Sequence, residues 1–231
     1  MTIEKDLLIS LLKLTKDEEI LIECIKRDTK ISYKIVRKML KQLQSEGLIH
    51  LKNDFVETES ASRLKLAVKA VSLGVDVETV STFLRWQEFE EIAAIALERN
   101  GYATYKNVRF KHVGHRYEID IIGCRKPLVL CVDCKRWQRG VKPSSLKRIV
   151  KAQVERVGAL VDMLPNPKLK VECVKWNKAK FIPMILAFIP SSSKFYENVP
   201  VVPVLQLQDF LRQLPAYVES LMYFKNDFSH L

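Results

Sequence analysis

Tyr117-Glu118-Ile119-Asp120-Ile121-Ile122-Gly123, followed closely by Leu128-Val129-Leu130-Cys131-Val132-Asp133-Cys134-Lys135, is the stretch on which the reading of this chain turns. Acids alternate with β-branched residues in the first run, and the second is an apolar strand that ends in acid-x-lysine. Period-two alternation puts Glu118 and Asp120 on one face of their strand, and Asp133 and Lys135 on one face of theirs. The turn signal from Gly123 to Pro127 joins the two runs as a hairpin, so their polar side chains converge at one end of a sheet. Carboxylates brought together without a cation repel, and one must then take up a proton. A hard divalent ion such as Mg²⁺ resolves this, because it takes oxygen ligands. A lysine two residues past the acid is placed to steer a water or offset developing negative charge.

Upstream, residues 86–102 read as a helix. Phe89, Ile92, Ala93 and Ala96 form its expected buried stripe, while Gln87, Glu91 and Glu98 fall on the wet side. Glu90 shares a side with Ala93 and Ala94, small residues that leave room beside a carboxylate, so Glu90 is preferred to Glu91 as a site residue. Together these elements resemble the PD-(D/E)xK nuclease superfamily, in its Mrr-like and archaeal Holliday-junction-resolvase-like branches, over roughly Trp86 to Leu214. By that resemblance Glu90 stands for the helical metal-site glutamate, Asp120 for the first motif aspartate, Asp133 for the second acid and Lys135 for the lysine. Ile119 stands where the name-giving motif has proline, and Glu118 is an extra acid without an assigned role.

The resemblance implies an αβββαβ core, a mixed sheet flanked by helices, so the fold class is α/β (α+β). It also implies a metal-dependent DNA endonuclease of restriction or repair type. Asp120 and Asp133 would ligate Mg²⁺ or Mn²⁺ with the Cys134 backbone carbonyl, Glu90 would support the same site, and Lys135 would orient the attacking water. A homodimer is implied where both strands of a duplex are cut. The alternatives are a structure-specific nuclease acting on junctions or flaps, and a catalytically weak nuclease-fold DNA-binding regulator.

Charge distribution points to the same partner. The chain carries a net +11, but residues 1–58 contribute +1, residues 59–100 contribute −2 and residues 101–231 contribute +12. Cations are densest just past the acid-x-lysine strand, at Arg136, Arg139, Lys142, Lys147, Arg148, Lys151 and Arg156, opposed only by Glu155. Such a field suits a phosphate backbone. Gln153 in this segment is expected to be solvated. His112-Val113-Gly114-His115 reads as a hairpin tip from which Lys111, His115 and Arg116 reach DNA. The amino terminus shows no basic-then-apolar leader, and no run of about twenty apolar residues occurs. A cytoplasmic, nucleoid-associated protein that does not enter a membrane is therefore expected. Five cysteines, an odd number, argue against a disulfide framework, and Cys131-x-x-Cys134 is expected to be two buried thiols acting as small hydrophobes.

Residues 1–58 read as a winged helix-turn-helix unit. Its expected helices run through Leu7–Leu14, from Asp17 to about Ile25, and after the N-cap Ser32 to Gly47. The third has Ile35, Val36, Met39, Leu40 and Leu43 inward, and Lys34, Arg37, Lys38 and Lys41 outward as a DNA-contacting face. Two short strands follow, around Leu48–Leu51 and Phe55–Thr58. Residues 59–85 form a helical connector with an apolar stripe at Ala61, Leu64, Ala67, Val68 and Val71, and Asp76 caps its second helix. Residues 86–231 make up the nuclease domain.

Overall fold

The structure, a computed structural model, describes residues 3–16, 18–135, 141–166, 168–188 and 193–227, and the chain divides into two compact units, residues 1–89 and 90–231. In the first unit α1 (Ile3–Leu14) fully buries Leu7, Leu8, Leu11 and Leu12. The expected second helix is displaced, with its expected start at Asp17 outside the described residues. Ile20–Leu21 forms a short strand, β1, and α2 (Ile22–Thr29) starts only after it. Pairing with the strand that ends the unit's hairpin outweighs the local helical pattern there.

α3 (Tyr33–Ser45) has Ser32 at its N-cap, although the serine side chain makes no capping bond. Gly47 closes it at φ +69°, and the Leu48 amide donates to the Leu43 carbonyl at 2.9 Å, the six-to-one bond of a Schellman end. Val36, Leu40 and Leu43 are buried. Ile35, expected inward, is 42% exposed, because the buried stripe is narrower than the apolar pattern. β2 (His50–Lys52) and β3 (Phe55–Glu57) follow, and the small antiparallel sheet has the order β1-β3-β2.

Two helices complete this unit, α4 (Ser60–Ser72), packed on α1, and α5 (Val77–Phe83), whose cap Asp76 accepts the Thr79 amide at 2.9 Å. The stripe expected on α4 is rotated: Ala61 and Val68 face solvent, while Arg63 is completely buried. Its guanidinium donates to Glu88 at 2.7 Å, to Thr15 Oγ1 at 3.0 Å, and to the carbonyls of Leu12 at 2.9 Å and Phe83 at 2.7 Å. With all three of its nitrogens hydrogen-bonded, a charged side chain occupies a core position that hydrophobicity alone assigns to its neighbours.

α6 (Trp86–Arg99) leads into the second unit. It buries Phe89, Glu90, Ala93, Ala94 and Leu97, while Ile92 and Ala96 are only partly covered. Next come β4 (Ala103–His112), β5 (His115–Arg125), β6 (Leu128–Lys135), α7 (Pro143–Asp162) and β7 (Lys178–Ala187). The chain continues with β8 (Phe195–Tyr196), β9 (Val199–Pro203), α8 (Leu207–Tyr217) and β10 (Phe224–Asp227). The mixed sheet has the order β4-β5-β6-β7-β9-β8, with β10 on the start of β7. β4 to β6 are antiparallel, whereas β6, β7 and β9 are parallel, so α7 supplies the crossover that a parallel pair requires. From α6 to β7 the order is αβββαβ.

One core between α7 and the sheet includes Ile122, Val129, Cys131, Val157, Leu160 and Phe181. The C-terminal helix α8 ends at Tyr217. Pro215 sits in its last turn, where it removes an amide, and the chain passes through a 3₁₀ turn (Val218–Ser220) to β10. Among the described residues no helix is long and apolar enough to cross a membrane.

Candidate active site

The site lies at one end of the β5–β6 ladder. Pairing runs from Arg125 opposite Leu128 to Ile121 opposite Val132, and the next step of this register sets Asp120 opposite Asp133. Directly opposed residues point to the same face, with Cβ atoms roughly 5 Å apart. The Cys134 amide donates to Asp120 Oδ2 at 2.7 Å, which fixes that carboxylate across the strand end. Burial raises the Asp120 carboxyl above the usual carboxylate range despite this bond. The charge of Asp133 pushes the same way, and Lys135 and Arg156 pull against it.

Asp133 is 3% exposed, and both of its oxygens are engaged. Lys135 Nζ stands 2.7 Å from Oδ2, and Arg156 Nη1 stands 2.9 Å from Oδ1. The same Arg156 nitrogen donates to Gln153 Oε1 at 2.5 Å, and Gln153 Nε2 donates to the Cys131 carbonyl at 2.8 Å. Helix α7 is thereby stitched to β6 through two polar side chains. Glu90, buried on α6, comes close enough to act on the Cys134 thiol. That thiol is raised well above its ordinary range by burial first, then by the carboxylates of Asp120, Glu90 and Asp133, with Lys135 opposing. One small region therefore feels all three acids and the lysine.

Among the described residues, no three His, Cys, Asp or Glu side chains close into a cage able to enclose a metal ion. The donor chemistry still suits a hard divalent cation: Asp120 carries a charge that its surroundings disfavour, Asp133 lies opposite, and the ligands on offer are oxygens. Glu118, the extra acid, is spent elsewhere, bonded to Arg109 of β4 at 2.9 and 3.4 Å. Glu91 pairs with Lys106 of β4.

Lys142 at the N-cap of α7 and Lys147, Arg148 and Lys151 along it are exposed, and no acid occupies the helix's first turn. Arg136 and Arg139 lie outside the described residues. Arg116 is exposed beside the β4–β5 turn. In the first unit Lys34, Lys38 and Lys41 are exposed on α3, but Arg37 is bound to Asp54 at 3.1 Å and to the Tyr33 hydroxyl at 2.9 Å. Gln153, expected in solvent, is fully buried, and Arg156, grouped with the phosphate-facing cations, instead holds Asp133. A signal for the first was present: Val150, Gln153 and Val157 share one helical stripe, so the glutamine falls on the apolar side.

Comparison with known proteins gives a family match over part of the chain. Residues 82–161 match the family model Mrr_cat, restriction endonuclease. An uncharacterized protein from Archaeoglobus fulgidus is 28% identical over 139 residues, which are 58% of this chain and 95% of the relative. Similar solved structures include a protein of unknown function (TM-score 0.31, 18% identity, 46% of this chain and 47% of that one). A protein from Vibrio cholerae has a TM-score of 0.41 and 12% identity, over 94% of this chain and 52% of that one. This chain thus spans about half the length of those solved structures. The residues that match the Mrr_cat restriction endonuclease model, 82–161, hold Glu90, Asp120, Asp133 and Lys135.

Proposed function

We propose that the protein is a metal-dependent endonuclease that hydrolyses DNA phosphodiester bonds, of restriction or repair type. The observation that carries this reading is the register that sets Asp120 against Asp133, with Lys135 bonded to the latter. Asp120, Asp133 and the Cys134 carbonyl, with Glu90 beside them, would hold Mg²⁺ or Mn²⁺, which supplies Lewis-acid polarisation of the phosphate. Lys135, its side chain 31% exposed, can reach substrate while staying on Asp133. Its ammonium orients the attacking water and offsets the charge that grows on the phosphoryl oxygens.

Docking falls to the exposed cations of α7. Lys142 stands at the positive end of that helix, with Lys147 and Arg148 exposed one turn further along, a disposition that favours an anion. Residues 1–58 act as a winged helix that holds the chain on DNA through Lys34, Lys38 and Lys41. Cleavage of both strands takes two copies of the site, hence a homodimer.

The test is Lys135→Ala, assayed on plasmid, single-stranded, branched and methylated DNA with Mg²⁺ or Mn²⁺. Cutting should be lost while duplex binding stays near the wild-type level. Cleavage retained by that variant refutes the assignment.

A further inference from the structure

We propose that the tip of the β4–β5 hairpin is a separate grip on the DNA backbone, in which Lys111 and Arg116 take phosphates and Val113 rests against the adjoining sugars. The proposal rests on the nuclease reading and adds to it an element outside the metal site. Arg109 faces Glu118 across the ladder, Lys111 faces Arg116 and His112 faces His115. Lys111 and Arg116 are both exposed, and among the described residues neither has a carboxylate partner. Like charges set directly opposite one another destabilise a strand pair, and an anion bridging them removes that cost. On the reverse face Phe110 and Tyr117 are stacked at 5.4 Å.

The turn is unusual in the same direction. Val113 and Gly114 both have positive φ, +45° and +80°, the two-residue turn that favours Asn-Gly. A β-branched residue is an outlier in that conformation. Val113 is also 82% exposed, so its side chain adds almost nothing to the fold. An apolar knob held between cations, at a position where folding favours asparagine, suits contact with a deoxyribose edge.

Position along β5 ties the tip to the reaction. Arg116 lies four residues before Asp120 on the same strand. Four residues of strand span roughly 14 Å. Phosphates of one DNA strand are spaced about 3.4 Å along the helix axis, so that separation corresponds to about four nucleotides. These contacts position the DNA without reading its sequence.

The experiment measures binding of the full-length protein to a fluorescent duplex by anisotropy, with EDTA present so that nothing is cut. For Lys111→Ala/Arg116→Ala, the slope of log affinity against log salt should fall by about 1.8, or 0.9 per lost phosphate contact. Its Tm should hold or rise, since the repulsive pair is gone. Val113→Asn should raise Tm yet weaken binding several-fold, a combination that a merely structural role would not produce. Wild-type affinity and slope in the double variant overturn the hairpin grip while leaving the nuclease reading intact. A wild-type protein that neither binds nor cuts DNA overturns both.

Discussion

Replacing Arg63 with methionine tests how the first unit is held together. The guanidinium is fully buried, and so is the carboxylate of Glu88 that it meets at 2.7 Å. Removing one partner of such a pair leaves a charge stranded in a low-dielectric interior, at a cost of about 3–5 kcal/mol. Thr15 Oγ1 and the carbonyls of Leu12 and Phe83 lose donors at the same moment, which puts the loss toward the upper part of that range. For a unit of this size about 4 kcal/mol corresponds to a fall in Tm of at least 15 °C. Urea denaturation followed by circular dichroism gives the free energy directly. A second variant separates charge from packing. In Arg63→Met/Glu88→Gln the stranded charge is gone, while the glutamine oxygen still accepts the Arg85 amide, now 2.8 Å from Glu88 Oε2. The double variant should therefore recover about 1–2 kcal/mol relative to Arg63→Met, the penalty for an unsatisfied buried charged group. A single variant that loses less than about 1 kcal/mol, or a double variant no better than the single, refutes the reasoning.

Asp120→Asn should raise Tm at neutral pH, because it removes a carboxylate whose pKa burial raises; the stability tied to its protonated form is full below the unfolded value and disappears as pH rises through the folded one. The gap between variant and wild type should close in thermal melts as pH falls toward about 4, and Mg²⁺ should raise the melting point of the wild type alone. Arg156→Met takes one of two cations from Asp133 and leaves the buried Gln153 oxygen without its donor, a loss of about 1–3 kcal/mol in urea titrations. Arg156→Lys should recover part of it, and equal losses in both variants contradict the specific pairing. Combined Lys34→Ala, Lys38→Ala and Lys41→Ala should reduce the salt slope of duplex binding by as much as about 2.7. Arg37→Ala should leave that slope unchanged, since Arg37 is already committed to Asp54.

The acid-bearing hairpin was legible because alternating apolar residues mark each strand and the Gly123 to Pro127 stretch marks the turn between them. Helix caps at Asp76 and Gly47 were equally readable, for they depend on residues a few positions apart. Interactions between distant segments were not. β1 exists because Ile20 and Leu21 pair with Val56 and Phe55, and β10 because residues 224–227 return to the start of β7. The burial of Arg63 was not legible, since its partners come from two distant stretches, Leu12 to Thr15 and Phe83 to Glu88. At the site, spacing placed Asp120 and Asp133 near one another, but it gave no hint that Arg156, twenty-three residues beyond Asp133, holds the latter. Charge counting grouped that arginine with the solvent-facing lysines because composition carries no direction.

The double hold on Asp133 has a practical outcome for anyone preparing the protein. With an ammonium on one oxygen and a guanidinium on the other, this carboxylate is neutralised from within the chain. Architecture at the strand end therefore does not wait on an added ion, unlike a zinc finger, which unfolds when stripped. Chelator treatment should yield a folded, reactivatable sample whose melting curve stays cooperative.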